Sequence, residues 1–311
     1  MNVMTAFASA TRSTLAAPKL ILMLWLTLLA AALPFGLMLQ REIAGDIGAS
    51  RVHVELRQRM DMVWLGEFQE RAATLGKTLE PRTSSRADFL SNLDQLFSGK
   101  LFERPVGLVA AGVGYALVWL LLLGGVIDRF ARGGGKLVAA PFLAACGRYF
   151  SRLLVLTVFS AAGYGALYWA ARRLYEVLEK STQDVTVETT VLGYYLLGAL
   201  PLVLGAGLVM MIIDYARLAA VVEERGAWSA LGRGARFVVR RPGSVFGLAL
   251  LVTLLALGLI ALRTVVLPGV GESSVLGIVA VFMIGQLFVM ARLVLRVVRV
   301  GAELALYRDL R

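Results

Sequence analysis

The sequence predicts an all-helical polytopic membrane protein with six transmembrane helices joined by interfacial amphipathic segments. Three observations carry this. The chain of 311 residues is 58% hydrophobic and only 17% charged, outside the balance of soluble domains. Six apolar runs reach the length needed to cross about 30 Å of hydrocarbon: Ala17–Leu39, Val106–Ile127, Leu153–Ala171, Val191–Ile213, Ser244–Leu262 and Val275–Ala291. None of the six contains an acidic or basic residue other than Lys19 at the start of the first.

The charge lies in the connections and alternates. Basic residues dominate the N-terminal segment, 128–152, 214–243 and the tail from Arg292, whereas 40–105, 172–190 and 263–274 are balanced or slightly acidic. Because loops on the cytoplasmic side carry the excess of Lys and Arg, both termini and the second and fourth loops are expected in the cytoplasm. The net charge of +11 is then a topology signal, and nucleic acid is not needed to explain it. Arg12 and Lys19 ahead of an apolar run also suit a signal peptide, but the run continues to Leu39, too long for one, so it reads as an uncleaved anchor. The chain divides into an N-terminal interfacial segment with the first span (1–39), an extracytoplasmic helical cap (40–105), and five further spans with their basic loops and a C-terminal helix (106–311).

In the cap, Trp64, Phe68, Ala72, Leu75 and Leu79 form one helical stripe ended by Pro81. Phe89, Leu93, Leu96 and Phe97 form a second, after Ser85 and Asp88 and before Gly99. Such a pair must bury its apolar faces somewhere, on the spans or on an envelope partner. His53 at its start reads as a surface residue.

A unit of basic helix followed by span recurs. Placing Arg12 on Arg236 brings Ala6 onto Ala230 and Pro18 onto Pro242. Gly147–Arg152 (GRYFSR) matches Ala235–Arg240 (ARFVVR), which predicts a three-fold internal repeat. Within 227–240, a helical wheel groups Trp228, Leu231, Ala235, Val238 and Val239 on one side, with Arg233, Arg236 and Arg240 beside them. A Trp-bearing apolar stripe flanked by arginines suits a helix lying among headgroups. Phe237 falls opposite the stripe, so the other face is expected to meet protein. Arg148, Arg152, Trp228, Arg233, Arg236, Arg240 and Arg241 are therefore the candidate contacts to anionic lipids of the cytoplasmic leaflet, or to a partner.

Asp128 and Asp214 close two spans and each precedes an arginine by one turn, Arg132 and Arg217, so local ion pairs are expected. Arg292, Arg296, Arg299 and Glu303 line one stripe of the C-terminal helix, with Arg299 and Glu303 spaced for a weak pair. Arg132–Lys136 (RGGGK) lacks phosphate-loop spacing and reads as a turn.

Chemistry is hard to find. With one cysteine, Cys146, and one histidine, His53, neither a Cys/His metal cluster nor an internal disulfide can form. The spans offer only hydroxyls such as Thr157, Ser160 and Thr253, the amide of Gln286 and tyrosines. No catalytic residue, metal or cofactor site is expected, and the chain reads as a non-enzyme. Small residues such as Gly243 with Gly247, and Ala110 with Gly114, suit close helix packing.

Residues 219–242 (AAVVEERGAWSALGRGARFVVRRP) resemble the loop of a family of six-span bacterial membrane proteins similar to the membrane domain of glycerophosphodiester phosphodiesterases. The matching positions are Glu223 or Glu224, Ala230, Leu231 and Arg236. The resemblance implies a membrane-embedded scaffold or accessory role and covers this loop and the six-span layout; the phosphodiesterase catalytic domain is absent. The alternative is a permease-like transporter subunit coupling through 214–242. It resembles that family less, because Glu223 is followed by Glu224 and Arg225, and Gly226 comes too soon. Helices broken at Pro34 or Pro201 would favour it.

Overall fold

A computed structural model describes residues 2–48, 62–72, 75–78, 106–134, 137–183, 187–266 and 275–310. These residues are helical almost throughout, with no strand among them. The helices are α1 (Val3–Leu15), α2 (Pro18–Gly48), α3 (Met62–Arg71), α4 (Val106–Ala131), α5 (Ala139–Thr182), α6 (Glu188–Val222), α7 (Ala227–Arg240), α8 (Pro242–Val266) and α9 (Val275–Leu310), and a 3-10 turn covers Leu75–Thr78. Six of them, α2, α4, α5, α6, α8 and α9, are long and apolar enough to cross a membrane; five contain a predicted span whole, and α2 contains the first from its second residue, Pro18. The chain is an all-α, multi-pass membrane protein. Leu79, His53 and the second cap stripe from Ser85 to Gly99 lie outside the described residues.

Two compact units are formed. The first comprises residues 1–16, 120–251 and 297–311, and in it the three basic segments bury one register. With Arg12, Arg148 and Arg236 aligned, Ala6, Phe142 and Ala230 are all buried, and so are Ala10, Cys146 and Gly234. Each segment seats against a helix at a small residue. A Cβ on Gly301 of α9 would lie 3.1 Å from Ala10, and one on Gly125 of α4 would lie 2.6 Å from the Cys146 sulfur. At the third contact the glycine is on the basic segment itself: a Cβ on Gly234 would lie 2.6 Å from the Ile212 carbonyl oxygen and the Ala216 nitrogen of α6.

The three copies differ at one informative place. Pro18 and Pro242 open α2 and α8, where the missing N–H and fixed φ suit a helix start and stop the preceding helix. The aligned residue in the middle copy is Leu154, which imposes no break. Basic segment and span therefore merge into the 44-residue α5.

The second predicted span lies within α4, which is long and apolar enough to cross a membrane, and its second half is packed: Leu120, Leu122, Leu123, Val126, Ile127 and Phe130 are buried in this unit, with Leu121 exposed between them. The C-terminal stretch of α9 is likewise packed: Val297, Val298, Leu304, Leu306 and Tyr307 are buried.

The second unit comprises residues 17–119 and 252–296. Trp64, Leu65, Phe68 and Ala72 pack against Ile43 and Ile47 of α2, as the predicted stripe requires. Trp64 stacks on Phe68, with ring centroids 5.3 Å apart, and its indole N–H donates to Asp46 at 2.8 Å. The Gly76 amide donates to Glu42 at 3.0 Å. Gln286, the amide noted within the sixth span, accepts from the Trp25 indole at 3.2 Å. Arg296 lies over the Trp119 ring, 4.5 Å from its centroid. Pro34 and Pro201 lie inside continuous helices.

Candidate functional site

The charged side chains of the first unit form two networks and one free face. The first network is built on Asp214. Arg217 donates to it at 3.2 Å, the local pair expected from the spacing. Arg299 of α9 binds its other oxygen and also donates to Glu303 at 2.7 Å. Arg217 reaches on to the Thr157 hydroxyl at 3.3 Å, while that hydroxyl donates to its own helix at Leu153. Two carboxylates and two guanidiniums thus neutralise one another, with the four side chains 10–23% exposed. The Asp128 pair is simpler: Arg132 sits 2.9 Å away and is 62% exposed. Gly133 and Gly134 follow with φ of +89° and +72°, the turn that Arg132–Lys136 predicted, and Arg129 donates to the Gly134 carbonyl at 2.9 Å.

The second network radiates from the α6–α7 connection. Tyr307 of α9 and Arg225 each donate to Glu223 at 2.5 Å, and Arg233 of α7 is 3.6 Å away. Burial opposes the charged form of Glu223, but the hydrogen bonds from Tyr307 and Arg225 and the charge of Arg233 outweigh it, holding its carboxyl below the usual range. The same contacts, from Tyr307 first and then Glu223, raise the Arg233 guanidinium further. Glu224 faces the other way, accepting from Tyr149 of α5 at 3.3 Å, with Arg148 at 3.6 Å. It does so with φ of +50°, a conformation uncommon for a residue with a side chain. Two adjacent glutamates therefore fasten one loop to three helices. Tyr215, Phe237 and Tyr307 pack above them, with centroids 4.7, 5.0 and 6.2 Å apart.

The free face belongs to α7. Its buried side is Ala230, Gly234, Phe237 and Val238, so Phe237 does meet protein, as its position on the wheel implied. Val238, expected on the membrane stripe, is instead 1% exposed. The close backbone approach at Gly234 turns α7 so that, of that stripe, Trp228 and Val239 are the exposed members, 75% and 74%. Trp228 leans on Phe159 of α5, centroids 4.4 Å apart.

No family model, curated protein or solved structure matches this chain. The site is accordingly read from its own geometry. Of the seven candidate contacts, Arg233 and Arg148 are engaged by Glu223 and Glu224. Arg152 is half-buried on α5, and Arg236, Arg240 and Arg241 are exposed beside Trp228 and Val239. These last three form no ion pair among the described residues. Sequence reasoning missed the roles of Gly234, Tyr149, Tyr307 and the Asp214–Arg299 contact. Only Gly234 carried a local signal, a glycine centred on the polar-to-apolar boundary of a helix where it lowers propensity.

Proposed function

We propose that this chain is a non-enzymatic scaffold or accessory factor of a bacterial inner membrane, with both termini cytoplasmic, that engages anionic lipid headgroups through α7. The observation that carries the reading is the exposed face of α7, where Trp228 and Val239 stand beside Arg236, Arg240 and Arg241. An indole and a valine suit the acyl boundary. Basic side chains next to them suit phosphates, each contributing on the order of 1 kcal/mol near an anionic surface. The two internal networks support a scaffold: their carboxylates and guanidiniums face one another within the protein and tie helices together. The resemblance of 219–242 to the phosphodiesterase-linked membrane domain points the same way, and an envelope partner for 40–105 belongs to the same proposal.

Affinity capture from native membranes in mild detergent, with mass spectrometry of bound lipids and proteins, tests it. Wild type is expected to retain anionic lipid that an Arg236→Gln, Arg240→Gln, Arg241→Gln variant loses several-fold. Capture of a nucleotide-binding subunit that the variant releases would replace this reading with the permease-like one.

A further inference from the structure

The α5–α6 hairpin has its two apolar runs out of step. Its register is fixed by several contacts along its length. A Cβ on Gly163 would lie 3.1 Å from Val209, one on Gly205 would lie 2.9 Å from Leu167, and one on Gly198 would lie 3.0 Å from Leu178. Tyr164 donates to the Ala206 carbonyl at 3.5 Å, and the rings of Tyr175 and Tyr195 are 5.9 Å apart. This pairing places Ala171 level with Leu200, and Lys180 level with Val191, to within a residue or two. Yet the apolar run of α5 ends at Ala171, while that of α6 starts at Val191.

Over the intervening nine or so residues the exposed flanks differ: that of α5 is mainly charged, with exposed Val177 among the charges, and that of α6 is apolar. On α5 stand exposed Arg172, Arg173, Glu176, Glu179 and Lys180, with Arg173 and Glu176 paired at 3.1 Å. On α6 at the same height stand Leu196, Leu197 and Leu200, 55–70% exposed.

At 1.5 Å per residue the step is about 14 Å, between helix axes about 8–10 Å apart. An average tilt of about 20° absorbs about 3 Å of it, and the extreme of about 40° about 8 Å. The remainder must be met by immersing five charged side chains, by exposing the leucines to water, or by the bilayer itself. Mismatch costs far less per ångström than charge in hydrocarbon. We infer that the hairpin deforms the bilayer: the leaflet on the side of the α5–α6 connection is drawn down along α5 and stays at full height along α6. Local thinning of a membrane is thus a second activity of this chain, and it uses none of the arginines of α7.

Single cysteines at Val177 and Leu197, about one turn apart in height, test the inference in the full chain in lipid nanodiscs, with a membrane-impermeant maleimide. The buried Cys146 is measured alone as the parent. Val177→Cys is expected to label at least ten-fold faster than Leu197→Cys, with the two rates converging in detergent. Comparable fast labelling would mean a flat surface at the level of Ala171, and comparable protection of both would mean an immersed charged turn. Either result overturns the inference.

Discussion

Asp128 and Asp214 look alike in the sequence, each after an isoleucine at the end of an apolar run and each a turn before an arginine. In the structure Asp128, itself 13% exposed, has one ion-pair partner among the described residues, its neighbour Arg132, which is 62% exposed, whereas Asp214 is drawn with Arg299 and Glu303 of α9 into a four-charge network. Spacing along one helix specifies the first kind of contact. The second depends on which distant helix arrives, 85 residues on, and nothing local to Asp214 announces it.

That contrast is broken most severely at its long-range member. Arg299→Met leaves Asp214 and Glu303 facing each other in a half-buried site, and removing one partner of a buried pair costs about 3–5 kcal/mol. Arg132→Gln, which removes a guanidinium that is 62% exposed and leaves Asp128 without burying a second carboxylate against it, is expected to cost less, about 1 kcal/mol. Thermal unfolding in a fixed detergent or nanodisc measures both, and equal shifts would deny the distinction.

The glycines beneath the basic segments sharpen the comparison. At Gly234 an added methyl meets the backbone of α6, but at Gly125 it meets the side chains of Cys146 and Phe142, which can move. Gly234→Ala is expected to cost about 2 kcal/mol net of the gain in helix propensity, and Gly125→Ala less than half that. The reverse order would mean that α7 is not seated as described.

Glu223 gives a smaller effect with a sign. Its carboxyl is held below the ordinary range, so its stabilising share is full above the unfolded value, about 4.3, and disappears as pH falls through the lower folded value. Glu223→Gln is therefore expected to lower stability by about 1–2 kcal/mol at neutral pH, with the gap to wild type closing below about pH 4. A gap that persists in stronger acid would assign the loss to packing.

Much of this was legible in the sequence because it is local. Apolar length marks the six spans, the stripe from Trp64 to Leu79 marks the first cap helix, of which α3 covers Met62–Arg71 and a 3-10 turn Leu75–Thr78, and Phe237 opposite Trp228 tells that α7 has a protein side. What was not legible is the depth at which each element sits. Leu120–Ile127 is as apolar as any span, and its pattern does not show that most of it is buried against protein; the wheel places Val238 on the membrane stripe because it cannot show where Gly234 allows two backbones to meet. Arg233 and Arg148 read as free cations because their partners, Glu223 and Glu224, act from a loop whose direction depends on the φ of Glu224.

The depth of Val239 tests the central claim most directly. A nitroxide on Val239→Cys, with its accessibility to oxygen and to a nickel chelate measured in nanodiscs containing anionic lipid, is expected to report a position just below the phosphates. In the Arg236→Gln, Arg240→Gln, Arg241→Gln background it should move outward. A label fully accessible to the chelate, and unchanged by loss of the arginines, would contradict an α7 face that engages the membrane.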